Sequence, residues 1–303
     1  EKHLLAVTFA SGKYSFLDEN MEYDLYAYKQ SYDLSHNELK AEVILRPVKQ
    51  HTISIGINSI LYQTEPGDVL PLDENSLVKP ESFESEKGLE SGIYIGDQWT
   101  LTPRLEINAG IRYNVYTYLG PKTVFTYKDG QPRSAETILD TLTFSDNAVI
   151  KTYDGIDYRI AGRYMINEDL SVKASYNRLH QYIFMLSNTI AISPTDEWKL
   201  CDYNIRPMTG DQFSLGLYSN FMGGSYEVSM EGYYKYVKNL VEYKDGAEMV
   251  ANQFPEKDIV QGNLNAYGNE FMVKKPFGTL NGWVNYTYSS AKVLIDNPST
   301  GEQ

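Results

Sequence analysis

The chain has little cysteine, little tryptophan and no long apolar run. Its 303 residues include one cysteine, Cys201, and three tryptophans. A single cysteine excludes a disulfide within the chain and a structural zinc site built from several thiolates. No stretch approaches the ~18 consecutive apolar residues of a transmembrane helix. A membrane protein built from strands stays open, because such strands give only a weak hydropathy signal.

Basic residues and catalytic motifs are also scarce. The 40 Asp and Glu outnumber the 27 Lys and Arg, which argues against nucleic acid as a partner because phosphates need a basic surface. No Gly-rich phosphate loop, HExxH motif or Gly-x-Ser-x-Gly elbow is present. A metal site of His180 with Asp196 or Asp202 is disfavoured, because metal ligands usually form a tight cluster. The sequence therefore predicts neither an enzyme nor a cofactor.

Tyrosine, by contrast, is abundant, with 26 residues. Its ring tolerates acyl chains while its hydroxyl stays hydrated, so it suits a membrane interface. It also has high β-propensity and packs well in a soluble sandwich. Composition alone leaves both interpretations open.

The strongest pattern is strict alternation of apolar and polar residues. Ile156, Tyr158 and Ile160 would share one face of a strand, and Asp157 and Arg159 the other. This period of two predicts β-strands with one apolar face. Eleven such strands are predicted, at residues 3–14, 35–46, 51–62, 89–101, 104–119, 151–166, 169–182, 209–220, 224–243, 262–275 and 278–292.

Short and long connections alternate between these strands. The short turns are at 46–50, 102–103, 167–169, 220–224 and 276–278, and the long connections at 15–34, 63–88, 120–150, 183–208 and 244–261. Outer-membrane barrels have short periplasmic turns and long outer loops, whereas a sandwich mixes the lengths. The predicted fold is therefore all-β, an antiparallel transmembrane β-barrel. Because an odd number of strands does not close a bacterial barrel, residues 1–303 are interpreted as one contiguous segment of a larger barrel.

Several stretches together resemble the barrel of TonB-dependent outer-membrane receptors. Each is weak alone, but their order and spacing cover nearly the whole chain, in the style of Bacteroides-like receptors. They are Ile93 to Leu105 followed by Asn108 to Tyr113, Asp169 to Asn177, Arg206-Pro207 leading to Asp211 to Gly216, Glu231 to Lys235, Ala266 to Glu270, and Gly282 to Ser289.

The resemblance implies a 22-stranded barrel with an N-terminal plug domain, in the outer membrane of a Gram-negative bacterium. Such receptors import scarce iron chelates, cobalamin, glycans or peptides. The TonB–ExbB–ExbD complex supplies the energy. The plug is not recognisable in this sequence, so this chain is expected to supply about 11 strands of the barrel wall. The implied partners are the plug, the remaining strands, the TonB complex, the lipid and lipopolysaccharide of the membrane and a surface lipoprotein.

Two groups of site residues follow. Seven charged residues should face the lumen and contact the plug or one another rather than substrate: Arg112, Arg159, Arg163, Lys173, Glu227, Glu231 and Lys235. The connection from Tyr182 to Pro207 is the candidate for ligand contact, because aromatic rings and acceptors together suit a polar solute. Its candidate residues are Tyr182, Asp196, Trp198, Asp202 and Tyr203. The alternative for these five is self-packing of a long loop. A short helix is expected from Ala247 to Asn252.

Two other functions stay open on the sequence. A passive porin-type channel would lack the plug and the TonB motif. A soluble carbohydrate-binding or adhesive β-protein would need no detergent for extraction.

Overall fold

The computed structural model describes residues 3–187, 197–244, 246–247 and 252–295. Short 3₁₀ helices lie at Asp24–Tyr26, Ala135–Thr137 and Pro255–Lys257. Within the described ranges, no helix is both long and apolar enough to cross a membrane. The strands are β1 His3–Asn20, β2 Tyr28–Leu45, β3 His51–Glu65, β4 Asp68–Pro71, β5 Glu81–Ser82, β6 Glu86–Thr102, β7 Leu105–Leu119, β8 Lys122–Tyr127, β9 Ile138–Phe144, β10 Val149–Met165, β11 Leu170–Gln181, β12 Ile183–Leu186, β13 Glu197–Leu200, β14 Met208–Phe221, β15 Tyr226–Tyr243, β16 Ile259–Lys275 and β17 Gly282–Leu294.

Eleven long strands form one antiparallel sheet, which we call the wall. Each long strand pairs with the next long strand along the chain, from β1 through β2, β3, β6, β7, β10, β11, β14, β15 and β16 to β17. They run from 12 residues in β11 to 18 residues in β1. A tilted strand needs about 9–11 residues to cross the bilayer, so every wall strand is long enough. The predicted strand number, order and fold class are confirmed.

The predicted first connection at 15–34 is wrong over most of its length. β1 continues to Asn20 and β2 already begins at Tyr28, and these two residues pair with each other. Only residues 21–27 connect the two strands. A strand that extends beyond the membrane is wet on both faces, so its apolar alternation fades while its backbone ladder continues. The polar composition of residues 15–20 and 28–34 therefore predicted a loop, although these residues continue the paired strands.

The other long connections contain structure of their own. β4 and β5 extend the sheet beside β2, β8 pairs with β9, and β12 pairs with β13. The predicted helix at 247–252 falls largely on residues 248–251, which lie outside the described residues. The 3₁₀ helix of that connection is at Pro255–Lys257.

The apolar face of the wall follows the predicted alternation. Ile111 lies directly opposite Ile95 on one side and Tyr158 on the other, and directly opposed residues point to the same face. Ile95, Ile111 and Ile160 have exposed fractions of 47%, 50% and 52%. Nothing in the described chain covers this face, as expected for a surface that contacts lipid.

Glycines on the polar face make room for large side chains of neighbouring strands. A Cβ on Gly56 would lie 2.5 Å from Cζ of Tyr94 and 2.8 Å from the carbonyl oxygen of Ala41. The ring of Tyr94 thus occupies the space above Gly56, the residue directly opposite it. The guanidinium of Arg112 occupies the space above Gly92 in the same way.

The buried core lies at one end of the wall, beside the long connections. Its members come from the outer ends of wall strands and from two long connections, at 120–148 and 182–207. They are Tyr116, Tyr118, Val124, Ile150, Tyr182, Phe184, Leu186, Leu200, Cys201, Ile205 and Ile259. The connections therefore pack as a small globular unit against the polar face, and this unit contains the candidate site.

Candidate functional site

The connection at 182–207 is held against the polar face of the wall by three tyrosines, which we call the tyrosine clasp. The clasp residues come from three different strands, β2, β7 and β10. Each hydroxyl donates to a backbone carbonyl of the connection: Tyr32 to Trp198 at 2.6 Å, Tyr116 to Cys201 at 2.8 Å and Tyr153 to Asp202 at 2.8 Å. Carbonyls that would otherwise be buried without partners are thereby satisfied.

Lys199 is the buried cation of this connection. Its Nζ lies 2.6 Å from Oε1 of Glu86 on β6 and 2.6 Å from Oδ2 of Asp202, and only 5% of Lys199 is exposed. Burial opposes the charge, but Asp202 and Glu86 raise the pKa of Lys199 above its usual value. The ammonium therefore stays charged and joins the connection to the wall.

Asp202 also organises the backbone that follows it. Its Oδ1 accepts hydrogen bonds from the backbone N–H groups of Asn204 at 2.7 Å and Ile205 at 2.8 Å. This local turn is the usual behaviour of an aspartate at a chain reversal. One carboxylate thus serves both the ion pair with Lys199 and the turn.

Glu197 is a carboxyl group of the site whose pKa lies close to neutral pH. Burial raises its pKa to about 7, opposed by the hydrogen bond from Gln30 and reinforced by the carboxylate of Glu86. Nε2 of Gln30 donates to Glu197 Oε1 at 3.3 Å. The side chain therefore changes charge within the physiological range of pH.

Aromatic stacking and two further connections complete the unit. The rings of Tyr116 and Tyr182 stack with centroids 4.9 Å apart and an interplanar angle of 6°. Arg133 donates to the carbonyls of Asn204 at 3.1 Å and Ile259 at 3.2 Å. Tyr127 also donates to Oε1 of Glu256 at 2.9 Å, so the connections at 120–148, 182–207 and 244–258 are tied together.

The five predicted ligand residues differ in how far they are buried. Tyr182 and Asp202 are buried, with exposed fractions of 2% and 8%, and take part in the loop's own packing. Trp198 and Tyr203 are half-buried, and ligand contact by these two stays a prediction. Asp196 lies outside the described residues.

Sequence reasoning missed Glu86, Lys199 and the clasp tyrosines. Glu86 is 113 residues away from Lys199 along the chain, and no local motif connects such distant positions. His180, considered above with Asp196 or Asp202, instead places Nδ1 2.6 Å from Oδ1 of Asp157.

The seven predicted lumen residues share the polar face. Arg163 lies opposite Lys173, which lies opposite Gly216, which lies opposite Glu231. A second row of directly opposed residues across neighbouring strands consists of Arg159, Asn177, Gln212 and Lys235. Arg112 lies opposite Asp157, and Glu227 is four residues before Glu231 on β15.

These charges differ in how they are paired within the wall. Arg112 Nη2 lies 3.2 Å from Glu90 Oε1, and Lys274 Nζ lies 3.0 Å from Glu227 Oε2. Lys173 lies over the ring of Tyr218, with Nζ 4.2 Å from its centroid. Arg163 and Lys173 are like charges directly opposite each other, and the same row of the wall holds two carboxylates, Glu106 directly opposite Arg163 and Glu231 opposite Gly216.

Comparison with known proteins agrees with this architecture. A family model described as TonB dependent receptor-like, beta-barrel, matches residues 5–303. A search of curated proteins found no match.

Solved structures of similar fold include the copper transporter OprC, with a TM-score of 0.66 and 10% identity, over 95% of this chain and 45% of that one. The ferric yersiniabactin uptake receptor FyuA from Yersinia pestis gives 0.58 and 12%, over 97% and 41%. The FrpB iron transporter from Neisseria meningitidis gives 0.57 and 11%, over 88% and 37%.

At these identities the structural likeness shows the fold alone, and the chain spans less than half the length of each of these proteins. The family match, in contrast, covers nearly every residue. The chain therefore belongs to the TonB-dependent receptor-like β-barrel family, whose members lie in the outer membrane of Gram-negative bacteria.

Proposed function

We propose that this chain forms about half of the barrel wall of a TonB-dependent transporter that imports a scarce nutrient. The observation that carries the proposal is the ordered sheet of eleven wall strands, matched by the family model over residues 5–303. The solute class is proposed to be one of those expected from the resemblance: an iron chelate, cobalamin, a glycan or a peptide.

The rest of the wall and the plug are proposed to come from a longer protein of which residues 1–303 are one segment. The first and last strands of the wall, β1 and β17, each have one edge with unpaired backbone groups. These groups need partners, because open sheet edges are not tolerated in lipid. The charged residues of the polar face, including Arg163 and Lys173, are proposed to contact the plug or one another. Lipopolysaccharide outside, the TonB–ExbB–ExbD complex inside and a surface lipoprotein over the outer mouth complete the proposed set of partners. Pull-down of the full-length receptor from outer membranes tests the lipoprotein.

Uptake in living cells tests the transport proposal. The native strain and a deletion of the full-length gene are supplied in turn with labelled iron chelate, cobalamin, oligosaccharide and peptide, with and without a proton uncoupler. We expect uptake of one of these solutes to be lost both on deletion and on uncoupling. Uptake that survives the uncoupler would instead support a passive porin.

The size of the native polypeptide tests the segment proposal. Detergent-extracted outer membranes should contain a receptor about two to three times the length of this chain, as a 22-stranded barrel with a plug requires. A native protein that ends near residue 303 and dissolves without detergent would contradict the barrel and favour a secreted binding protein.

A further inference from the structure

A cavity of about 370 Å³ opens beside the β12–β13 hairpin, between it and the outer end of β15. We call it the hairpin cavity. Its lining, all within the described residues, is mostly apolar or aromatic and includes Met185, Trp198, Met208, Leu240, Glu242 and Tyr243. Both the volume and the lining are those of small-molecule sites in proteins.

Trp198 is placed in this cavity by its backbone. Its carbonyl is fixed by the clasp hydroxyl of Tyr32 at 2.6 Å, and its neighbour Lys199 is buried in ion pairs with the wall. Across the hairpin it lies directly opposite Met185, which also lines the cavity. The aromatic surface is thus preorganised, which lowers the entropic cost of binding.

Glu242 is the one charged side chain among the described lining residues. The residue is half-buried, and within the described part of the chain its carboxylate makes no hydrogen bond or ion pair. A carboxylate that loses water without gaining a partner is costly. A ligand cation would remove that cost, and aromatic rings beside it would add cation–π attraction.

The charge of the outer connections points the same way. In each of the five, at 21–27, 66–85, 120–148, 182–207 and 244–258, acidic residues outnumber basic ones. A net negative charge raises the local concentration of cations. The net charge of the outer connections therefore favours cations over anions before any contact is made.

We propose that the hairpin cavity binds the apolar end of an amphipathic organic cation, with the ammonium or guanidinium group of the ligand at Glu242. The site rests on the proposed transport function and narrows its substrate class. The complementary features are an apolar and aromatic lining, one unpaired carboxylate and an acidic outer surface.

Calorimetric titration of the full-length receptor in lipid nanodiscs tests this site with three probes that share a benzene ring and differ in charge: benzyltrimethylammonium, benzyl alcohol and benzenesulfonate. We expect the cation to bind about tenfold more tightly than the anion, the size of one charge-assisted contact. Glu242→Gln should remove this preference and leave the affinity for benzyl alcohol unchanged. Glu74→Gln, an exposed carboxylate in another outer connection, should keep the preference.

Equal affinities for cation and anion, or a preference that survives Glu242→Gln, would overturn the assignment. Heat-modifiable electrophoretic mobility establishes that each variant is folded. Failure of the site is separable from failure of the transport proposal. A receptor that imports a solute in energised cells but lacks the cation preference contradicts the cavity alone, and one that binds the cation but imports nothing contradicts transport alone.

Discussion

Lys199 holds two carboxylates at the outer end of the wall. Removing it would leave Asp202 without its cation and Glu86 with only Lys122, whose Nζ lies 3.9 Å from Glu86 Oε1. Breaking a buried ion pair from one side costs about 3–5 kcal/mol, because the remaining charge stays buried and unpaired. For Lys199→Met we expect hydrogen exchange at the backbone amide of Leu200, which donates to Glu86, to accelerate by about a hundredfold or more.

The matched control for this variant is Lys128→Met, because Lys128 is exposed on another outer connection. Its exchange rate at Leu200 should stay at the value of the unmodified protein. Unchanged exchange in Lys199→Met would show that the ion pairs contribute little to the packing of the connection.

Glu197 makes the packing of the connection at 182–207 against the wall depend on pH. Because burial raises its pKa to about 7 in the folded state, the folded state binds the proton more tightly than the unfolded state does. The stability from this group is therefore fully present below pH ~4.5 and is lost as the pH rises through 7. Lys199 keeps its charge over this range and does not contribute to the change.

Glu197→Gln is uncharged at every pH and isolates this effect. We expect it to stabilise the connection relative to the unmodified protein at pH 8, by up to about 3 kcal/mol. The two proteins should converge at pH 5. Limited proteolysis at the two pH values measures the difference, and a stabilisation that is equal at both would contradict the raised pKa. Burial also raises the pKa of Glu256, so the comparison needs this single variant rather than a pH profile alone.

At the scale of strands, the two faces of the wall differ in what they tolerate. Ile160 and Val228 lie on the apolar face, and a lipid-facing arginine near the midplane costs about 2–4 kcal/mol. We expect Ile160→Arg and Val228→Arg to block assembly, measured as loss of the heat-modifiable folded band in outer membranes. Ser171→Arg and Ser229→Arg, on the polar face, should assemble. Equal tolerance at all four positions would contradict the assigned faces.

Glycines of the wall also differ according to what lies above them. Gly56→Ala would place its methyl 2.5 Å from Tyr94 Cζ and 2.8 Å from a backbone oxygen of β2, so the strands must shift. Gly162→Ala meets only the carbonyl oxygen of Glu106 at 4.0 Å, and should be neutral or stabilise by about 0.4–1 kcal/mol through lower chain entropy. Urea unfolding in lipid vesicles would compare them, and a Gly56→Ala barrel as stable as Gly162→Ala would show that Tyr94 moves freely.

For the whole molecule, the alternation of connections sets an orientation that labelling can check. We expect Glu74→Cys, on an outer connection, to react with a membrane-impermeant maleimide on intact cells. Lys49→Cys, in a short turn, should react only after the membrane is permeabilised. Cys201 gives little background because it is fully buried and burial raises the pKa of its thiol. The reverse labelling pattern would invert the proposed orientation.

The wall was predictable because its information is local. Alternation around Ile156 and Ile160 depends on neighbours two residues apart, and tight turns depend on a few adjacent residues such as Asn167 and Asp169. The first connection was predicted wrongly because paired strands outside the membrane lose their apolar face without losing their ladder. The site was less predictable. Composition put Trp198 and Tyr203 forward for ligand contact, which stays a prediction, and it did not indicate what these side chains pack against.

The sequence by itself determined the fold class, the strand order, the orientation of each strand's faces and the family. It did so because membrane strands must repeat one pattern with a period of two wherever they contact lipid. Only the tertiary structure decided how the outer connections pack. Lys199 with Glu86 and Tyr32 with Trp198 are contacts between residues far apart in the chain, and Glu242 and Trp198 line one cavity although 43 residues lie between them. Such contacts depend on which strand ends the pairing of the wall brings together, and no local pattern records them.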